Sequence, residues 1–122
     1  MSRTLSEFPI KSRVRVALTT TAAVIAEVDV NGDVQKLEKI SVNNTTGSGK
    51  TTTFAIVAAG ETYAASSYDI STARALAANT SGSVEGGPWY LQPGDKVYAL
   101  ASAAGVNAWL DFGAAPSTTL EG

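Results

Sequence analysis

Short runs of alternating apolar and polar residues recur along the chain, parted by clusters of Gly, Asn, Ser and Pro. That rhythm predicts antiparallel strands in an all-β domain. The runs cover residues 14–18, 22–30, 34–42, 51–58, 70–78, 89–91, 97–103 and 106–112. Residues 70–78 read as a strand, although their alanines would suit a helix as well. In the run 51–58, Phe54, Ile56 and Ala58 fall on one face and Thr53, Ala55 and Val57 on the other. Residues 60–69 and 79–88 read as loops, the second enclosing Val84.

Turn chemistry ties these runs together. Asn31-Gly32 is the dipeptide most tolerant of a tight hairpin, and a two-residue loop there sets Val30 against Asp33 and Glu27 against Lys36. The step from Leu37 to Ile40 breaks the period of two, which predicts a bulge near Glu38. Gln92-Pro93-Gly94-Asp95 has Pro and Gly where a type II turn needs them. A hairpin turning at Ala104-Gly105 pairs Val97 with Phe112, Ala99 with Leu110, Ala101 with Ala108 and Ala103 with Val106. Its second face then carries Tyr98, Leu100, Ser102, Asn107, Trp109 and Asp111. The domain organisation is an N-terminal arm over residues 1–13, a β domain over 14–113 and a C-terminal tail over 114–122.

Composition narrows the chemistry. The 122 residues contain no His and no Cys, which removes the usual nucleophilic triads, thiolate chemistry, zinc knuckles and disulfides. A net charge of −2 gives no basic field for nucleic acid, and no apolar run reaches the length of a signal peptide or a membrane helix. Alanine supplies 20 of the apolar positions. The larger apolar residues are few for a chain of this size, so association with other chains is expected to add stability.

Four features invite chemistry. Gly47-Ser48-Gly49-Lys50-Thr51 resembles the end of a phosphate loop, but the position five before Gly49 is Asn44 and the residues that follow have strand chemistry. Asp29, Asn31 and Asp33 have the spacing that opens a calcium loop, yet its twelfth position is Ile40. Asp69, Glu85, Asp95 and Asp111 are the carboxylates to consider for glycoside hydrolysis, and their dispersal is that of a solvated exterior. Trp89, Tyr90 and Trp109 offer rings for sugar stacking or for ordinary sheet packing. No catalytic residue, cofactor or metal site is therefore assigned. The candidate partner-interface residues are Phe8, Pro9 and Ile10 in the arm, with Trp89, Tyr90, Tyr98, Leu100 and Trp109 in the domain.

From about residue 24 onward the chain resembles small β-sandwich structural proteins of tailed bacteriophages. The resemblance rests on Lys39-Ile40-Ser41-Val42-Asn43-Asn44-Thr45-Thr46-Gly47, on Thr51-Thr52-Thr53-Phe54-Ala55-Ile56-Val57, on Leu91-Gln92-Pro93-Gly94-Asp95-Lys96-Val97 and on Ala101-Ser102-Ala103-Ala104-Gly105-Val106-Asn107, in that order. It implies an antiparallel, jelly-roll-like β-sandwich of about seven or eight strands, and a non-enzymatic capsid decoration (cement) protein or a neck or tail component. The expected partners are the major capsid protein or other virion proteins and further copies of this chain, as a trimer or dimer, with no nucleic acid or membrane. The expected location is the virion, after synthesis in the bacterial cytoplasm. The other reading is a carbohydrate- or receptor-binding module of a phage fibre or tail.

Overall fold

Strand-forming runs that alternate small apolar with polar side chains can bury one face only by stacking a second sheet on it, and the chain does this. The computed structural model describes residues 11–63 and 68–114, which form nine strands. These are β1 (Lys11–Ala17), β2 (Ala23–Glu27), β3 (Gln35–Asn44), β4 (Lys50–Val57), β5 (Tyr68–Leu76), β6 (Ser81–Val84), β7 (Trp89–Leu91), β8 (Lys96–Ala101) and β9 (Val106–Ala114). One sheet has the order β1-β9-β3-β6, with β7 also paired to β3, and the other has the order β2-β8-β4-β5. All pairs are antiparallel. The chain passes from one sheet to the other at most of its connections, which is the winding of a jelly roll. The all-β sandwich read from the sequence is the architecture found.

Both sequence-predicted hairpins are corrected by this winding. β2 pairs with β8 rather than β3, so Glu27 stands beside Lys96, and Lys36 beside Tyr90 and Gly113. Residues 29–32 still turn, with Gly32 N donating to Asp29 O at 2.9 Å and Asn31 N to Asp29 Oδ1 at 2.9 Å. Neither Asn31 nor Gly32 has a positive φ, and the turn carries the chain between sheets. β8 and β9 likewise lie in different sheets: Val97 sits beside Ala26 and Ile56, and Phe112 beside Leu37. The apolar alternation of these strands nonetheless marks their inward faces. Val97, Ala99 and Ala101 look into the core from one sheet, and Val106, Ala108, Leu110 and Phe112 from the other, all at most 7% exposed. A hairpin and a crossover present the same alternate residues inward, so alternation alone does not separate them.

Other local readings fare differently. The bulge falls between Leu37 and Lys39 as expected. Gly94 has φ +89° and Asp95 N donates to Gln92 O at 3.0 Å, closing the Pro-Gly turn. Residues 68–76 are a strand despite their alanines; β4 supplies its ladder partners, and an irregularity at Ala73 (φ 47°) is held by its N–H donating to Thr53 Oγ1 at 2.9 Å. Residues 81–84, read as loop, are strand β6. Its Ser and Gly residues have little strand preference, but β3 offers an open edge and buried Val84 anchors the pairing. β4 is buried on both sides. Phe54 faces the core, while fully buried Ala55 has Tyr98 as its cross-strand neighbour, and Tyr63 stacks on Tyr98 with ring centroids 5.1 Å apart.

One end of the sandwich is tied by a buried amide. Asn44 is 0% exposed. Its Nδ2 lies 2.8 Å from Ser48 O, 3.2 Å from Leu76 O and 3.1 Å from Ala77 O, and its Oδ1 accepts from Thr46 N at 2.9 Å. Its own backbone N–H donates to Thr80 O at 2.8 Å. Asn44→Ala strands several of these groups at once and is expected to lower stability by about 3 kcal/mol. Asn44→Asp, which turns a carboxylate toward the same carbonyls, is expected to cost at least as much. Urea denaturation of the two variants checks both.

Candidate functional site

Alternation that turns Val14, Val16, Ile40, Val42, Ala108 and Leu110 toward the core turns their neighbours onto the outer face of the β1-β9-β3-β6 sheet. The register sets these in rows. Arg13, Asp111 and Lys39 form one; Arg15, Trp109, Ser41 and Ser83 the next; Ala17, Asn107, Asn43 and Ser81 a third. The first row is held by a forked ion pair, Arg13 Nε to Asp111 Oδ1 at 2.6 Å and Nη2 to Oδ2 at 3.2 Å. That hydrogen bond, and then the carboxylate's charge, raises the Arg13 guanidinium above its ordinary value, so it stays charged throughout the working range.

Between these rows lies a groove of about 490 Å³. Trp109, half-buried, forms part of its lining; Ser81, Gly82 and Ser83 form a low far wall because they carry almost no side chain. The side chains of Ser41, Asn43, Ser81 and Ser83 make no hydrogen bond to the described residues, and Lys39 is exposed without an ion pair there. The opposite outer face differs. There Tyr63 covers Tyr98, Thr53 Oγ1 accepts from Ala73 N, and Ser102 Oγ accepts from Thr51 N at 3.0 Å.

The sequence-derived interface residues scatter over this frame. Phe8, Pro9 and Ile10 lie outside the described residues. Trp89 is a correction: it is 7% exposed and belongs to the core, with Gly87 lying flat on its ring so closely that a Cβ there would be 2.7 Å from it. Tyr90, 52% exposed, is on the same outer face as the groove, next to Lys36. Tyr98 and Leu100 are on the outer face of the other sheet, so they and Trp109 lie on opposite sides of the sandwich and form no common patch. The contributions of Arg13, Arg15, Lys39, Ser41 and Ser83 were missed. Their polar alternation was visible, but only the register assembles them into one face.

The remaining motifs resolve as turns. Residues 47–51 run from the turn after β3 into the start of β4, a strand where a phosphate loop needs a helix, and Lys50 Nζ donates to Ser48 Oγ at 2.8 Å. Asp29 caps its own turn. Asp95 Oδ2 accepts from Gln92 N at 2.8 Å, and Asp111 holds Arg13, so these carboxylates serve separate local structures. Among the described residues, no three His, Cys, Asp or Glu side chains gather as metal ligands, and no helix is long and apolar enough to cross a membrane.

The chain matches no protein-family model and no curated protein by sequence. Among solved structures it is similar to a chain from Bacillus endospore appendages, described as forming a novel family of disulfide-linked pili. The two are 19% identical over 90% of this chain and 88% of that one, with a TM-score of 0.53. At that identity the likeness concerns the fold.

The two tryptophans make a direct test of the two environments. Trp89→Ala is expected to destabilise by about 3–5 kcal/mol, as loss of a core ring does. Trp109→Ala, on the outer face, is expected to change stability by less than about 1 kcal/mol. Thermal and urea unfolding of the pair measure this.

Proposed function

We propose that the protein is a non-enzymatic structural subunit of a virion, most simply a capsid decoration protein that binds the major capsid protein and other copies of itself. Jelly rolls are a common architecture of viral capsid proteins, and the turns of residues 39–47 and 91–97 resemble those of phage virion proteins. The fold is shared with a pilus-forming chain, which favours a building role; lacking cysteine, this chain would assemble without covalent links.

The observation that carries an assembly role is the inequality of the sheet edges. β2 is short and shifts register between Val24 and Ala26, β5 is irregular along β4, and the β6 and β7 edge is interrupted by residues 85–88. Edges blunted in such ways resist pairing with other chains. β1 is different: seven consecutive residues keep register with β9, and no described strand pairs with its outer side. Lys11 stands opposite Gly113, so the segments before and after the domain leave from adjacent strands at one end. The open edge and the two ends of the described chain thus lie on one side, where a neighbouring subunit would meet them.

Adding the purified protein to capsids of its phage that lack it tests the reading: saturable incorporation supports it, and failure to incorporate removes the decoration role. Self-association has its own test. Leu18 N donates to Val106 O, so by alternation the N–H of Ala17 points away from β9, and Ala17→Pro blocks the outer edge without removing a ladder bond. By sedimentation the wild type is expected to be a dimer or trimer and the variant a folded monomer. An unchanged oligomer in Ala17→Pro excludes this edge as the interface.

A further inference from the structure

We propose that the groove on the outer face of the β1-β9-β3-β6 sheet binds a carboxylated oligosaccharide, a role separate from the assembly reading above. Trp109 is the aromatic among the groove's lining residues, whose other outward-facing side chains are small polar or basic, and nothing in the described chain covers it as Tyr63 covers Tyr98. An indole there provides an apolar plane for the C–H face of a sugar ring. Next to it stand groups suited to ring hydroxyls: Ser41, Ser83 and the Asn43 amide both donate and accept, and none is bonded within the described chain.

Charge complementarity selects the acidic sugar. Lys39 lines the groove without an ion pair, and Arg13 is oriented there by its fork to Asp111. With the charge of Arg13 balanced by Asp111, Lys39 leaves the groove one positive charge in excess, on a chain whose net charge is −2. A single carboxylate is attracted at short range, whereas a polyanion meets the overall negative charge. Single-stranded nucleic acid is also poorly matched because it stacks successive bases on several rings, and one ring is available here. A protein partner would be met by an apolar core, and this face has charged and hydroxyl side chains instead. The volume lies within the ~300–1,000 Å³ range of small-ligand sites, and the floor from Trp109 across β3 to Ser83 spans about 10 Å, two strand spacings.

The test is an array carrying oligogalacturonate, oligomannuronate and sialyllactose beside neutral cellohexaose and maltohexaose, followed by calorimetry on the best binder, with a dT oligonucleotide as comparison. Saturable binding of a carboxylated glycan is expected, weakened about tenfold or more in Trp109→Ala and about fivefold in Lys39→Ala. The emission of buried Trp89 reports that Trp109→Ala remains folded. Ser83→Tyr, which fills the groove from β6 and leaves Trp109 in place, is expected to abolish binding. No signal from any carboxylated glycan, equal binding of neutral glycans, unchanged affinity in Trp109→Ala and Ser83→Tyr, or tighter binding of the oligonucleotide would each overturn the proposal. Capsid incorporation is measured separately, so failure of one reading leaves the other standing.

Discussion

The sandwich depends on keeping its inter-sheet crossings in place, and at one end a single side chain does this for several loops. Asn44 ends β3 where the chain leaves one sheet for the other, and its amide reaches the carbonyls of Ser48, Leu76 and Ala77, on the loops entering β4 and leaving β5. Thr45, the next residue, donates from its N–H and its hydroxyl to Gly105 O, which brings in the crossing from β8 to β9. A buried amide with its partners present fixes a unique arrangement, and its alternatives leave polar groups unsatisfied in a low-dielectric interior. The core between the sheets, from Leu37 and Ile40 to Phe54 and Leu110, can then be filled largely by modest side chains, because the loops already hold the sheets in register.

That economy shapes the exterior as well. With the inward positions occupied mostly by Val, Ala, Leu and Ile beside Phe54 and Phe112, the Trp and Tyr rings are distributed by what covers them. Trp89 is sealed by glycines and Tyr98 is capped by Tyr63, whereas Trp109 stands among serines and cations. The two outer faces consequently have different characters, one closed by its own loops and one left polar and open.

Most strand positions, the inward faces, the bulge at Glu38 and the Pro-Gly turn were legible in the sequence, because each is written in neighbouring residues. Pairing was not. Glu27 beside Lys96 and Phe112 beside Leu37 are contacts between distant segments, and alternation is the same whether a strand folds back on its neighbour or crosses to the other sheet. The groove was hidden for the same reason: Arg13, Lys39, Ser83 and Trp109 come from four strands, and no local spacing links them. β6 escaped notice because its strand state is imposed by β3 rather than by Ser and Gly themselves.

The adjacency of Lys11 and Gly113 has a mechanical consequence. The first and last described strands are hydrogen-bonded neighbours running in opposite directions, with the two ends of the described chain on the same side. Tension applied between those ends would open the β1–β9 ladder from its tip, one pair of bonds at a time, as a zipper opens. Pulling β1 along its own axis while the body of the sandwich is held elsewhere would instead shear several bonds together. In an assembly of the proposed kind, the subunit would resist load that passes along β1 into the body of the sandwich, and would yield to load that pulls the start of β1 away from the end of β9.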